Sequence, residues 1–161
     1  MPKTKNLYYY YFLALVIFAI LGFSREFLFV NINDRLYQLY YGHEDSLLPN
    51  SLAFLKNYNY STIYYSKFGL TIVYFIAYML VTFYAVKLIT EDVLFSKWAL
   101  YLFGIVLVLA GIITAYNYFI NQQLNGDEYT YSRWLMGIVQ SPLVAFFMIA
   151  SHKLYKNLNN K

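Results

Sequence analysis

The sequence alternates between long apolar segments and shorter polar segments. Four segments, at about 7–23, 68–86, 98–120 and 134–150, contain no Asp, Glu, Lys or Arg. A helix of a water-soluble bundle would carry a polar stripe at the 3.6-residue period, and none of the four does. The pattern therefore predicts an all-α, polytopic membrane protein with four transmembrane helices, forming a single membrane domain over residues 1–161.

The lengths of the four segments agree with this prediction. A hydrocarbon layer of about 30 Å requires about 20 helical residues, and unpaired backbone amides are not tolerated inside it. The first segment follows Lys3 and Lys5, as in a signal peptide, but it ends in Gly22-Phe23-Ser24-Arg25 without a small-x-small cleavage site. We therefore expect it to be retained as the first transmembrane helix, which extends through Phe27-Leu28-Phe29-Val30 if the Arg25-Glu26 pair lies at the interface.

The distribution of Lys and Arg predicts the orientation. The segments that end at Lys5, cover 87–97 and cover 152–161 contain seven lysines and only two acidic residues. The two other loops, 24–67 and 121–133, contain five basic and six acidic residues. The positive-inside rule places the lysine-rich set in the cytoplasm. Both termini are then cytoplasmic, and in a bacterium the protein is a multi-pass protein of the inner membrane.

Composition excludes several classes of function. Hydrophobic residues make up 60% of the chain and charged residues 12%, and the basic residues form no stripe of the kind that binds nucleic acid. The chain has no cysteine, which excludes disulfides and thiol chemistry. His43 and His152 fall on opposite sides of the membrane in this topology. We therefore expect no metal, no cofactor and no nucleic-acid partner.

The first outer loop, 24–67, is the longest segment outside the four predicted spans. Its stretches Asp34–Tyr41 and Leu47–Leu55 are apolar and compatible with helix, and they are broken by Gly42 and by Pro49-Asn50. We expect two short interfacial helices on the outer leaflet rather than a separate domain.

Polar residues near the outer ends of the predicted spans are the candidates for function. If the spans are adjacent, these residues converge at one depth, and the arginines could bind a lipid phosphate or an acidic side chain of a partner. Ordinary snorkelling of interfacial side chains is the alternative. The candidate partner- or lipid-binding residues are Arg25, Glu26, Asn31, Arg35, Asn117, Arg133 and Gln140.

The fourth and third spans each contain one further feature. Pro142 removes a backbone donor, so we expect a bend there, with freed carbonyls near residues 135–137 and a polar notch at Gln140. A hydrogen bond from Gln140 to a neighbouring helix is the alternative. Gly104 and Gly111, seven residues apart, predict a helix-packing surface on the third span.

Two short segments resemble a known family. Arg25-Glu26-Phe27-Leu28-Phe29 and the segment 131–143, YSRWLMGIVQSPL, are similar to the small exosortase F-associated membrane proteins. That family has an Arg at the outer end of its first helix and an Arg followed by a Gln-Pro step in its last. Arg25 and Arg133 match this pattern, whereas Ser141 separates Gln140 from Pro142, and Asn31-Ile32-Asn33 replaces the expected polar turn.

The resemblance implies a four-span accessory protein of an exosortase-type sorting system, not the peptidase, which needs a catalytic cysteine. We therefore expect a non-enzymatic accessory protein with a membrane protein partner, possibly an exosortase. Two alternatives remain. One is a lipid-phosphate-binding enzyme or transporter that uses the outer arginines on a phospholipid, and the other is a plain membrane scaffold.

Overall fold

A computed structural model describes residues 4–42, 48–116, 119 and 130–159. In order along the chain, its elements are α1 (Thr4–Tyr41), a 3₁₀-helix η1 (Asn50–Asn57), α2 (Tyr60–Thr90), α3 (Val93–Tyr116), α4 (Thr130–Val139) and α5 (Leu143–Asn159). The all-α prediction is confirmed for this part of the chain. Three helices, α1, α2 and α3, are long and apolar enough to cross a membrane, and α4 and α5 together provide a fourth if the bent pair is one span.

Helix α1 is much longer than the sequence pattern predicted. We expected a span of about 7–23, extended to Val30 if Arg25 and Glu26 lie at the interface, and a separate interfacial helix at Asp34–Tyr41, but one continuous helix of 38 residues includes both. The prediction was wrong because no Pro or Gly interrupts residues 23–41, and Arg25 and Glu26 are good helix formers. The helix ends where Gly42 adopts a left-handed conformation, with φ of 71°, which is the usual role of a glycine after a helix.

The chain divides into two compact units. One unit, Ala19–Tyr74, contains the second half of α1, η1 and the start of α2, and we refer to it as the hairpin unit. The other, Met1–Phe18 with Phe75–Lys161, contains the start of α1, the rest of α2 and helices α3 to α5, and we refer to it as the bundle unit.

The hairpin unit has an aliphatic core. Ile32 and Leu36 of α1, Leu52 and Leu55 of η1 and Ile63 of α2 are buried against one another. Burying each such side chain stabilises the fold by about 1.5–3 kcal/mol. The second predicted interfacial helix, Leu47–Leu55, corresponds to η1, which begins and ends later, at Asn50–Asn57; Leu47 lies outside the described residues.

The bundle unit has a more polar interior. Tyr78, Val86, Phe103 and Val139 are fully or almost fully buried. The buried polar residues are Thr82, Ser96, Ser132 and Gln140. Thr114 of α3 and Ser132 of α4 share a hydrogen bond of 2.9 Å between their hydroxyl oxygens, and the Ser132 hydroxyl also lies 3.4 Å from the Ala110 carbonyl. Short polar side chains therefore join α3 to α4.

A tight turn connects α2 to α3. Glu91 has a left-handed φ of 57°, and the next residue, Asp92, accepts a hydrogen bond of 2.8 Å from the Phe95 amide to its carboxylate. Asp92 is therefore the N-cap of α3. The same carboxylate lies 3.6 Å from the His152 imidazole of α5, so this turn and the second half of α5 meet at one end of the bundle unit.

Candidate functional site

The predicted site residues fall in both units. Arg25, Glu26, Asn31 and Arg35 lie on α1 in the hairpin unit, and Arg133 and Gln140 lie on α4 and just after it in the bundle unit. Asn117 lies outside the described residues, as do residues 121–129 of the predicted second outer loop. The convergence of Arg25 with Arg133 stays a prediction.

Arg25 and Glu26 are neighbours on α1 with different surroundings. The Arg25 guanidinium lies 5.4 Å from the centre of the Phe29 ring, a cation–π contact one turn further along the helix. The Arg25 side chain is half-buried, whereas Glu26 is exposed. Successive residues of a helix do not face each other. The two charges are therefore presented on different sides of α1.

Asn31 and Arg35 make contacts that stabilise the hairpin unit. The Asn31 amide donates a hydrogen bond of 2.7 Å to the Phe27 carbonyl, one turn earlier on the same helix. Arg35 donates a longer hydrogen bond, 3.4 Å, to the Lys56 carbonyl near the end of η1. A cation at the carbonyl end of a helix is favourable. Both side chains thus have structural partners within the chain, which weakens their assignment as binding residues.

Two polar contacts between α1 and α2 were not predicted. The Lys67 ammonium donates a hydrogen bond of 2.7 Å to the Asn33 side-chain oxygen, and the Tyr74 hydroxyl lies 3.1 Å from the Ser24 hydroxyl. These pairs are 34 and 50 residues apart in sequence, so no local pattern could show them. They fix α1 and α2 of the hairpin unit in one antiparallel register.

The predicted bend at Pro142 is confirmed. Helices α4 and α5 meet at an angle of 58° across residues 140–142. Proline lacks the amide that would bond the carbonyl four residues earlier, which is that of Ile138 rather than those of residues 135–137. The Ser141 hydroxyl occupies this carbonyl instead, at 2.6 Å, and accepts a hydrogen bond from the Leu143 amide at 3.3 Å. The carbonyl that the proline leaves without a backbone donor is therefore satisfied by the Ser141 hydroxyl, within the same segment.

Gln140 and Arg133 differ in accessibility. Gln140 is buried, with 4% of its surface exposed, and its backbone N–H donates a hydrogen bond of 3.0 Å to the Met136 carbonyl. Arg133 is exposed, between two exposed aromatic residues, Tyr131 and Trp134. Gln140 is thus an interior polar group of the bundle unit, and Arg133 is the one of the two that an external ligand can reach.

The glycines of α3 face open space. A Cβ atom added to Gly104 or Gly111 would meet no atom within 4 Å, apart from neighbouring backbone. Val108, between them on the same side of the helix, is 61% exposed. The predicted packing surface is therefore not used by the helices of this chain that the structure describes.

No group of three or more potential metal ligands is found among the described residues. The exposed Arg133, the exposed Glu26 and the open glycines of α3 are suited to contacts with a lipid or another helix. Comparison of the chain with protein-family models, with curated proteins and with solved structures found no match.

Proposed function

We propose that this chain is a non-enzymatic accessory protein of the bacterial inner membrane that packs against a membrane protein partner. It crosses the membrane four times, with both termini in the cytoplasm. The partner class, an exosortase, comes from the resemblance carried by residues 25–29 and 131–143. The α4–α5 pair is the fourth span in this proposal.

The contacts at one end of the bundle unit support the topology. The Lys153 ammonium of α5 lies 5.2 Å from the centre of the Tyr11 ring of α1. His152 lies beside Asp92 of the α2–α3 turn. The first half of α1, the α2–α3 turn and α5 are thus neighbours, which supports a topology with both termini on one side, and the positive-inside rule assigns that side to the cytoplasm.

The open face of α3 is the observation that carries the accessory role. Without a hydrophobic driving force in lipid, helices associate through close backbone approach at small residues. Gly104 and Gly111 offer such an approach, and a Cβ atom at either position would meet no side chain among residues 4–42, 48–116, 119 and 130–159. A helix of a partner can therefore pack where no helix of the described chain does.

The test is co-purification from native membranes in mild detergent. The chain should isolate together with one defined membrane protein in a fixed ratio, and the double variant Gly104→Leu, Gly111→Leu should reduce the yield of that partner by about tenfold, within the usual range of coupling between binding partners. Gly69→Leu is the matched control, because Gly69 on α2 is equally open. Isolation of the chain alone would refute the accessory role, and a partner that is not an exosortase would refute only the partner class.

A lipid-phosphate-binding role is the second candidate, and the exposed Arg133 beside Trp134 favours it. Aromatic and basic side chains together mark the headgroup level of a bilayer. Arg133→Leu should then lower phospholipid retention without affecting insertion, since it removes a charge rather than a span. Unchanged lipid and unchanged partner content in Arg133→Leu would refute a role of Arg133 in binding either of them. If the wild-type chain also isolates without a partner, a plain scaffold is the reading that is left.

A further inference from the structure

The register of the hairpin unit gives the depth of Arg25 and Glu26 relative to α2. Lys67 contacts Asn33, and Tyr74 contacts Ser24. Glu26 lies seven residues before Asn33. At 1.5 Å per residue, Glu26 is about 10 Å along the helix axis from the level of Lys67, on the side of Tyr74.

The position of the membrane boundary follows from the charges of α2. Its uncharged segment, 68–86, lies between Lys67 and Lys87 and has the length that hydrocarbon requires. If the boundary lay instead at Arg25, level with Tyr74, only residues 74–90 of α2 would remain for the crossing. They rise about 25 Å, less than the hydrocarbon requires, and they include Lys87. A boundary at Lys67 leaves the full uncharged segment 68–86 for the crossing and encloses Arg25 and Glu26 of α1, so it is the position that fits the length of α2.

Glu26 is the more exposed of these two charges. It shares an exposed stripe of α1 with Phe23 and Val30, which are 75% and 49% exposed. Arg25 is turned toward Phe29. Among the residues that the structure describes, none places a cation within ion-pairing distance of the Glu26 carboxylate. A carboxylate is therefore presented on an apolar surface, below the level of the lipid headgroups.

We propose that Glu26 pairs with a lysine or arginine of a transmembrane helix that packs on the stripe of Phe23, Glu26 and Val30. Ionisable groups inside a membrane almost always pair or face protein, because hydrocarbon does not solvate them. Lipid amines lie too far out to reach this depth. The inference rests on the proposed accessory function and specifies the chemistry of the partner: one basic residue about 10 Å inside the outer boundary.

A second copy of the chain is a poorer occupant of this stripe. In a symmetric pair, the same exposed stripe would bring two Glu26 carboxylates together. Arg25, the basic residue nearest in depth, is half-buried and lies over Phe29. Charge complementarity therefore favours a different helix.

The depth can be measured because the chain has no native cysteine. Phe27→Cys and Tyr37→Cys each introduce one thiol at an exposed position of α1. In sealed phosphatidylcholine vesicles, a membrane-impermeant maleimide should label Tyr37→Cys on the outer side and Phe27→Cys at least about tenfold more slowly, because water is excluded from the hydrocarbon. Equal labelling rates would place Glu26 outside the membrane and overturn the proposal.

The pairing is tested with a synthetic probe. Two leucine-rich transmembrane peptides differ only in having Lys or Leu at a depth of about 10 Å, that is, seven residues from the outer end. In the same vesicles, energy transfer from the labelled full-length chain should show that the Lys peptide binds about tenfold more tightly than the Leu peptide, as is typical of one coupling interaction.

Glu26→Gln should abolish the preference for the Lys peptide. Asp34→Asn is the matched control, because Asp34 is exposed on the same stripe, two turns beyond Glu26 and outside the proposed boundary. It should preserve the preference. Equal binding of both peptides to the wild-type chain, or a preference that survives Glu26→Gln, would overturn the charge pairing.

The native partner separates this inference from the accessory role. If Glu26→Gln co-purifies with the partner as well as the wild type does, while Gly104→Leu, Gly111→Leu does not, the charge pairing fails and the accessory role stands. If the wild-type chain isolates alone, the accessory role fails whatever the peptides show.

Discussion

The two units of the chain bury different kinds of side chain. The core of the hairpin unit consists of Ile and Leu from three elements, as in a small water-soluble domain. Four Ser, Thr and Gln residues are buried among the described residues, Thr82, Ser96, Ser132 and Gln140, and all four lie in the bundle unit, whose α3–α4 contact includes two hydroxyl groups. Helices in lipid gain little from burying more apolar surface and associate through small and hydrogen-bonding residues instead.

This difference is the one expected if the core of the hairpin unit lies outside the hydrocarbon and the buried side chains of the bundle unit lie inside it, as in the topology proposed above. In water, aliphatic burial is the main source of stability, and each large side chain contributes strongly. In hydrocarbon, packing and individual hydrogen bonds contribute, and each is small. Substitutions should therefore have large effects in the hairpin core and small effects in the bundle unit.

The largest expected effect is in the hairpin core. Ile63 is 1% exposed, and Ile63→Ala should lower the free energy of unfolding of this unit by about 2–5 kcal/mol, because it leaves a cavity. The measurement is hydrogen exchange of the Leu52 amide, which bonds the Pro49 carbonyl in η1, with the protein in detergent micelles.

Ile72→Ala is the control for this prediction, because it removes the same atoms from the same helix at a position that is 59% exposed. It should leave the exchange of the Leu52 amide nearly unchanged. If both variants accelerate exchange equally, the hairpin unit has no distinct core and the comparison of the two units fails.

A smaller effect of opposite sign is expected in the bundle unit. The Thr82 hydroxyl is buried without a hydrogen-bond partner in the part of the chain that the structure describes. Thr82→Val keeps the shape of the side chain and removes this group, so it should raise the free energy of unfolding by about 1 kcal/mol. Unfolding by sodium dodecyl sulfate in mixed micelles measures the change.

Thr114→Val is the matched control and gives the smallest effect. The Thr114 hydroxyl bonds the Ala110 carbonyl and the Ser132 hydroxyl, and its loss should cost about 0.6 kcal/mol. An increase in the free energy of unfolding for Thr82→Val and a decrease for Thr114→Val would support the view that individual hydrogen bonds decide stability in the bundle unit. Equal destabilisation by both would show that the Thr82 hydroxyl is satisfied after all.

Hydropathy predicted the long apolar helices better than the rest of the chain. The apolar segment 68–86 lies within α2, and the described part of 98–120 lies within α3, which begins earlier, at Val93, and ends at Tyr116. The bend at Pro142 was also found. These features depend on local composition or on one residue. Hydropathy measures preference for a solvent, so it did not indicate that α1 continues past Val30 to Tyr41.

A second signal for the long α1 was present in the sequence. Leu28, Ile32, Leu36 and Leu39 follow the spacing of one helical face, and all four belong to or pack against the hairpin core. The site was less predictable. The contact of Lys67 with Asn33 joins positions that are distant in sequence, so it could not be predicted. The hydrogen bond from the Ser141 hydroxyl to the Ile138 carbonyl could have been predicted, because a serine directly precedes the proline.

The elbow between α4 and α5 also determines how thick a bilayer this segment fits. As one straight helix, the predicted span 134–150 would rise about 25 Å. At 58°, its α4 part, residues 134–139, adds only about 5 Å instead of about 9 Å along the axis of α5, so the reach falls to about 21 Å. This is less than the roughly 30 Å of a typical hydrocarbon layer. Crossing as one span, the bent pair would therefore favour a thin bilayer or an assembly with other helices that shields its ends.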